Sequence, residues 1–262
     1  MFLLYKEYGD KTAPLMIFLH GGGISDWMWD NQIQYFTHYH CIVPILPEHG
    51  MDGSDTRFSI KGSAVELIKL IEEKAGDREV ILIGFSLGAQ VIIQLLSMKP
   101  EIIHYSMINS ASVRPIPYAR HFLKPAIKLT YPLIRKRWFS KLQAKTLYIN
   151  NEDDFEKYYA ESRHIKLDTL VRVLEENMAF GIPAAFSKAA GSILVTVGEK
   201  EKSIMKESAK DIIKANSNCT GVIIPGIGHG APLGMPDFFN RMIEGWIQYR
   251  ELPDECKVIT RG

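Results

Sequence analysis

No uninterrupted apolar run in this chain approaches the roughly 18 residues that a membrane-spanning helix needs, so no membrane span is expected. Cysteine is scarce: Cys41, Cys219 and Cys256 are odd in number and widely spaced, and no C-x-x-C pair occurs. That usage favours a reducing, cytoplasmic compartment and no structural zinc. Net charge is nearly absent, at +1, which argues against bulk nucleic-acid binding. Internal repeats and low-complexity linkers are missing. The first residues, Met1 to Gly9, lack a basic n-region, a long apolar stretch and a small-residue cleavage site, so they read as a strand rather than a signal peptide. One absence is local. From Arg114 to Lys145 the chain carries Arg114, Arg120, Lys124, Lys128, Arg135, Lys136, Arg137, Lys141 and Lys145 with no Asp or Glu, and Glu152, Asp153, Asp154 and Glu156 follow. A solvated basic face explains this run; an anionic substrate or a membrane-surface contact would as well.

What is present is ordinary globular composition, 46% hydrophobic and 23% charged over 262 residues, enough for one large α/β domain with a sizeable core. Short apolar, β-branched runs recur at Leu15–Leu19, Cys41–Leu46 (interrupted by Pro44), Val80–Ile83, His104–Asn109, Ser192–Val197 and Gly221–Ile224. Such runs fit strands buried on both faces. Helical stripes lie between them: Val65, Ile68 and Ile71 in Ser63–Lys74, then Leu87–Ser97, Lys206–Ala215, and a last helix with Phe238, Met242 and Trp246 on one face. Alternating strand and helix is the signature of βαβ units and a parallel sheet. The rhythm breaks over residues 111–190, which read as mostly helical, with Thr146–Ile149 as the one strand candidate. We read this block as an insertion covering the sheet edge. Residues from about Glu251 read as a frayed tail.

Chemistry concentrates at Gly84-Phe85-Ser86-Leu87-Gly88. Glycines two positions either side of a serine let a strand, a tight turn and a helix approach closely, and the serine at the tip is forced into a strained conformation with its hydroxyl projecting from the sheet edge. The next N–H opens a helix, where developing negative charge is stabilised. A serine hydroxyl is a poor nucleophile until a base takes its proton, and that base works best when a third group fixes its tautomer. His229, in the turn Pro225-Gly226-Ile227-Gly228-His229-Gly230 after the last core strand, is placed to be the base. Acids at the same edge are Glu199 and Glu201; the strand ending at Asn109-Ser110-Ala111 offers none. His20-Gly21-Gly22-Gly23 is either a loop with backbone N–H groups facing a ligand or a flexible turn, Ser25 or Asp26 is a candidate N-cap for the short helix that follows, and His49 reads as a loop histidine without an assigned partner.

With Ser86, an acid near 201 and His229 in that order, the chain resembles the α/β-hydrolase superfamily. The specific matches are His20–Gly23 for the oxyanion loop, Leu46-Pro47-Glu48-His49-Gly50 for the loop usually written L-P-G-H-G, Gly84–Gly88 for the serine turn and Pro225–His229 for the histidine turn. Two departures stand out: Glu48 replaces a customary glycine, and G-x-x-D is Gly198-Glu199-Lys200-Glu201 here. The resemblance implies a mostly parallel eight-stranded sheet flanked by helices, formed by residues 1–110 and 191–250, with 111–190 as a helical cap and 251–262 as a C-terminal tail. It also implies cofactor-free acyl transfer to water on a small-molecule acyl substrate, with Ser86, His229 and Glu201 as the triad and Glu199 as the alternative acid. Backbone N–H groups of Leu87 and of Gly22 or Gly23 would form the oxyanion hole. A carboxylesterase is the expected activity; hydrolysis of a thioester or carbon–carbon bond by the same triad, or ligand binding without turnover, are the alternatives.

Overall fold

The computed structural model describes residues 3–51, 56–117 and 119–261, apart from the side chains of residues 119–121. Met1 and Phe2 of the expected first strand, Asp52, Gly53 and Ser54 of the loop after His49, and the Arg120 side chain lie outside the described residues. Strands β1 (Leu4–Tyr8), β2 (Leu15–Leu19), β3 (His40–Ile45), β4 (Val80–Phe85), β5 (Tyr105–Asn109), β6 (Ser192–Gly198), β7 (Cys219–Ile224) and β8 (Lys257–Val258) form one sheet in the order β1-β3-β2-β4-β5-β6-β7-β8. Its six central strands are parallel; β1 on β3 and β8 on β7 are antiparallel.

The apolar runs read as doubly buried because they are. Along β2, Leu15, Ile17 and Leu19 join one core cluster while Met16 and Phe18 join the other, so the two-residue period of the strand feeds both faces. On the first face pack α2 (Ile60–Lys74), α3 (Leu87–Met98) and α8 (Ser203–Ala215), through residues such as Leu67, Ile92 and Ile212. The second face holds α1 (Asp30–Tyr35), with Trp29 just before it, and α10 (Pro236–Tyr249), with Phe239, Met242 and Trp246. Pro44 is tolerated because β3 pairs with β2 only as far as Ile42, so no ladder bond to β2 is lost at the proline. Cys41, Cys219 and Cys256 are free thiols.

Between β5 and β6 the described residues form α4 (Ala119–Ile134), α5 (Arg137–Thr146), α6 (Glu152–His164) and α7 (Leu167–Ala179). No strand forms at Thr146–Ile149. Thr146 ends α5, Leu147 and Tyr148 close back on Ala144 and Lys145, and Tyr148 takes a left-handed φ of 61°. Closure of the helix end takes these residues, and Ile149 is buried in the second core cluster instead. The frayed tail is also corrected: β8 hydrogen-bonds to β7, the Ile259 N–H donates to Gly221 O at 2.8 Å, and the Ile259 side chain is buried. Ser25 occupies the N-cap position of the 3-10 turn Asp26–Trp29, but its hydroxyl does not cap it; it donates to Asp26 and Glu161. No helix among the described residues is long and apolar enough to cross a membrane.

Candidate active site

The sharp turn between β4 and α3 follows from two glycines with no room for a side chain. A Cβ on Gly84 would lie 2.6 Å from Ile92 Cδ1, and one on Gly88 would lie 2.4 Å from Leu19 O. Helix α3 can therefore start almost on top of the sheet edge. Ser86 absorbs the change of direction with φ 52° and ψ −109°, a strained conformation that costs a non-glycine residue about 1–3 kcal/mol. Its N–H donates to Asn109 O at 2.8 Å, which locks the turn to β5.

Two loops meet Ser86. His229 sits on the loop after β7, its ring 4.9 Å from that of Phe85, with Nε2 3.1 Å from Ser86 Oγ. Its Nδ1 lies 2.8 Å from Glu201 Oε2, on the loop after β6. With the proton on Nδ1, the ring donates to the carboxylate and accepts from the serine hydroxyl. Such a chain can move a proton from Oγ to the imidazole while the carboxylate stabilises the imidazolium. Glu201 is nearly fully buried, and burial alone would raise its pKa. Bonds from His229, Ser110 Oγ (2.6 Å) and the Gly198 N–H (3.0 Å) outweigh that and hold the carboxyl below its ordinary value. Glu199, two residues earlier, turns away: it accepts from Lys257 Nζ at 2.7 Å and from the Gly226 N–H at 3.0 Å.

The glycine loop after β2 is held by His20, whose Nδ1 bonds Gly21 O at 2.8 Å while Nε2 accepts from the Leu46 N–H at 3.0 Å. Complete burial pushes this imidazole down to about 3, with His49 nearby adding to the effect, so it stays neutral. His49 packs on His20 and on Phe58 and bonds Pro47 O at 2.9 Å; it is buried among rings and has no link to Ser86. Gly22 faces Leu87: a Cβ there would be 3.5 Å from Leu87 Cδ2, and Val173 of α7 lies equally close. Gly23, with φ 77°, has nothing within 4 Å of its would-be Cβ. The Leu87 N–H opens α3 and has no helical acceptor before it.

A cavity of about 490 Å³ begins at Gly22 and Gly23 and runs beneath α4–α7. Ser86 and His229 do not line it; Gly22 and Gly23 of the glycine loop do. Ile127, Ile134, Phe139 and Leu174 supply apolar wall, and Thr130, Gln143 and Glu161 supply polar atoms. Glu161 is bonded by the Ser25 hydroxyl, and burial drives its pKa upward. Among the described residues no cluster of three or more His, Cys, Asp or Glu could hold a metal ion.

Several residues at the site carried no sequence signal of their role. Ser110, at the strand end that lacks an acid, bonds Glu201 instead. Tyr148 accepts the Gly228 N–H at 2.8 Å and so seats the His229 loop. Glu48, with φ 61° where glycine is customary, accepts from Arg172 Nε and Thr169 Oγ1 of α7 at 2.8 and 2.9 Å and from the Phe58 N–H at 2.8 Å. The departure from the glycine pattern was visible; its partners 121 and 124 residues away were not.

Residues 16–242 match the family model described as the alpha/beta hydrolase family. The chain belongs to the alpha/beta hydrolase family. Hydrolysis is the reaction class that this membership supports. Among curated relatives, a protein of Pseudomonas syringae pv. syringae named as the carbamate hydrolase RutD is 22% identical over 94% of this chain and 98% of its own length. An esterase of Mycobacterium tuberculosis is 31% identical over 42% of this chain and 36% of its own length. Among solved structures, MenH from S. aureus superposes with a TM-score of 0.76 at 19% identity, covering 93% of this chain and 97% of that one; at that identity the likeness speaks for the fold alone.

Proposed function

We propose that the protein is a serine hydrolase of carboxylic esters that works through an acyl-enzyme on Ser86. The observation that carries this reading is the unbroken hydrogen-bond chain from Ser86 Oγ through His229 to the buried carboxylate of Glu201, ending on a serine held in a strained turn. In this reading His229 takes the hydroxyl proton as Ser86 attacks the carbonyl, returns it to the leaving alcohol, and repeats the cycle with water. Glu201 keeps the imidazole in the required tautomer. The oxyanion is held by the Leu87 N–H and by that of Gly22, favoured over Gly23 by its packing against Leu87, each donor contributing roughly 3–4 kcal/mol. Helices α4–α7 act as the cap, and the mixed wall of the cavity suits a small or medium acyl group. The carbamate hydrolase among the relatives favours one neighbouring substrate class, since a carbamate carbonyl is open to the same attack.

A fluorophosphonate probe should label the wild type at Ser86 and leave Ser86→Ala unlabelled. Labelling that survives the substitution would refute the assignment. A panel of p-nitrophenyl esters of increasing chain length, with an aryl carbamate beside them, then reads the substrate class. Silence across the panel in a labelled, folded protein would move the reading to a thioester or carbon–carbon bond hydrolase, and failure to label would leave a ligand-binding member of the family.

A further inference from the structure

Four large apolar side chains stand exposed on two helices between β5 and β6. Phe122 and Leu129 on α4 are 74% and 82% exposed, and Trp138 and Leu142 on α5 are 63% and 58% exposed. Phe122 and Leu129 are seven residues apart, and Trp138 and Leu142 four apart, so each pair shares one side of its helix. The opposite side of α4, through Ile127 and Ile134, is already used by the cavity wall. Helix α4 is thus apolar on two faces, only one of which has a partner. Single exposed apolar residues are common, but large ones repeated at helical spacing mark a contact surface.

Charge narrows the partner. Arg137 and Lys141 are neutralised by Glu152 and Glu156 of α6. Lys124, Lys128, Lys136 and Lys145 make no ion pair among the described residues, and the segment from Arg114 to Lys145 holds no Asp or Glu. A second copy seated on this face would set cation against cation. A nucleic acid would satisfy the lysines and leave four large apolar side chains in water. Lysines flanking exposed Phe, Leu and Trp on a helix are instead the pattern of a segment lying in a membrane interface, with apolar groups at the acyl boundary and cations at phosphate.

We propose that the exposed apolar side chains of α4 and α5 dock on anionic lipid surfaces, with Phe122, Leu129, Trp138 and Leu142 entering the interface and Lys128, Lys136 and Lys145 meeting lipid phosphate. The contact is peripheral and reversible, and it stands whether or not Ser86 turns over an ester. It would bring the outer wall of the cavity against the lipid.

The intact chain is mixed with vesicles of phosphatidylcholine alone and of phosphatidylcholine with phosphatidylglycerol in equal parts, at low and at high salt. Co-sedimentation is expected with the anionic vesicles only, falling at high salt. Of the four tryptophans, Trp27, Trp29 and Trp246 are buried, so a blue shift of emission on binding reports Trp138. Trp138→Ser should abolish the shift. Leu129→Ser with Trp138→Ser, and separately Lys128→Gln with Lys145→Gln, should each lower the partition coefficient at least tenfold with the circular dichroism spectrum and Tm retained. Three results would overturn the proposal: no binding of wild type to anionic vesicles at low salt, equal binding to both compositions, or partitioning unchanged in both double variants. A dimer in sedimentation velocity that Leu129→Ser with Trp138→Ser dissolves would also overturn it, by giving this face to a second copy.

Discussion

Two glutamates two residues apart at the end of β6 have opposite surroundings, and the contrast decides which can serve His229. Glu201 is enclosed and bonded by three donors; Glu199 lies on the surface with Lys257. Replacing Glu201 by Gln should strip His229 of its tautomer control and lower kcat by up to about 10⁴-fold with KM little changed. Glu199→Gln should stay near wild type in the same steady-state assay, and the reverse pattern would exchange the two roles. The sequence reduced the acid to these two residues, and counting from Gly198 favoured Glu201; what it could not express was the Ser110 hydroxyl, because a serine at a strand end has no distinctive spacing. A third carboxyl behaves differently. Burial raises the Glu161 pKa above its ordinary value, so the folded chain binds a proton that the unfolded chain gives up at lower pH. Stability is therefore lost as pH rises from about 4.5 through the folded value. Glu161→Gln removes that dependence and can still accept from Ser25, so its Tm should exceed that of wild type at pH 7 and converge with it near pH 4. A calorimetric series across that range reads the difference.

At the level of elements, α7 is tied to the rest of the fold by well-formed contacts. Glu48 takes Arg172 and Thr169 of α7, Glu176 of α7 accepts the Ile60 N–H at 2.8 Å, and Asn177 and Gln90 exchange hydrogen bonds. Burial opposes the charge on Glu48, but its bonds to Arg172, the Phe58 N–H and Thr169 dominate and bring the carboxyl down to about 2. A depressed pKa of this kind stabilises fully above the unfolded value near 4.5 and is lost as pH falls toward 2. With Glu48 and Arg172 side chains 15% and 29% exposed, the pair should contribute about 1–2 kcal/mol after allowance for solvent screening. Arg172→Met should lower Tm by a few degrees at pH 7, and much of that gap should close by pH 2.5 in thermal melts followed by circular dichroism. These tethers were invisible to sequence reading because they join residues 87 to 124 positions apart. The strands were legible for the opposite reason: a run buried on both faces is apolar throughout, and no distant partner is needed to see it.

For the molecule as a whole, the β8 end of the sheet was the least readable part. Lys257 and Val258 of β8 are both exposed and too short a pair to show any pattern, yet they cover the edge of β7. Removing residues 251–262 would bare that edge, unseat the buried Ile259 and cut the Lys257–Glu199 pair. The truncated chain should melt several degrees lower and form aggregates on size exclusion; an unchanged Tm would mean that β8 is decoration. The central architecture was legible from strand–helix alternation, and the point where it failed marks the insertion. The tyrosine at the foot of that insertion bears on enzyme engineering. The Tyr148 hydroxyl receives the Gly228 N–H beside His229, so the block a designer would exchange to alter substrate range also carries a support of the proposed proton relay. Chimeras spliced at 111 and 190 would import a foreign foot and misplace the imidazole even if both parents are active. A splice downstream of Ile149, or a donor with tyrosine at that position, would keep the seat intact.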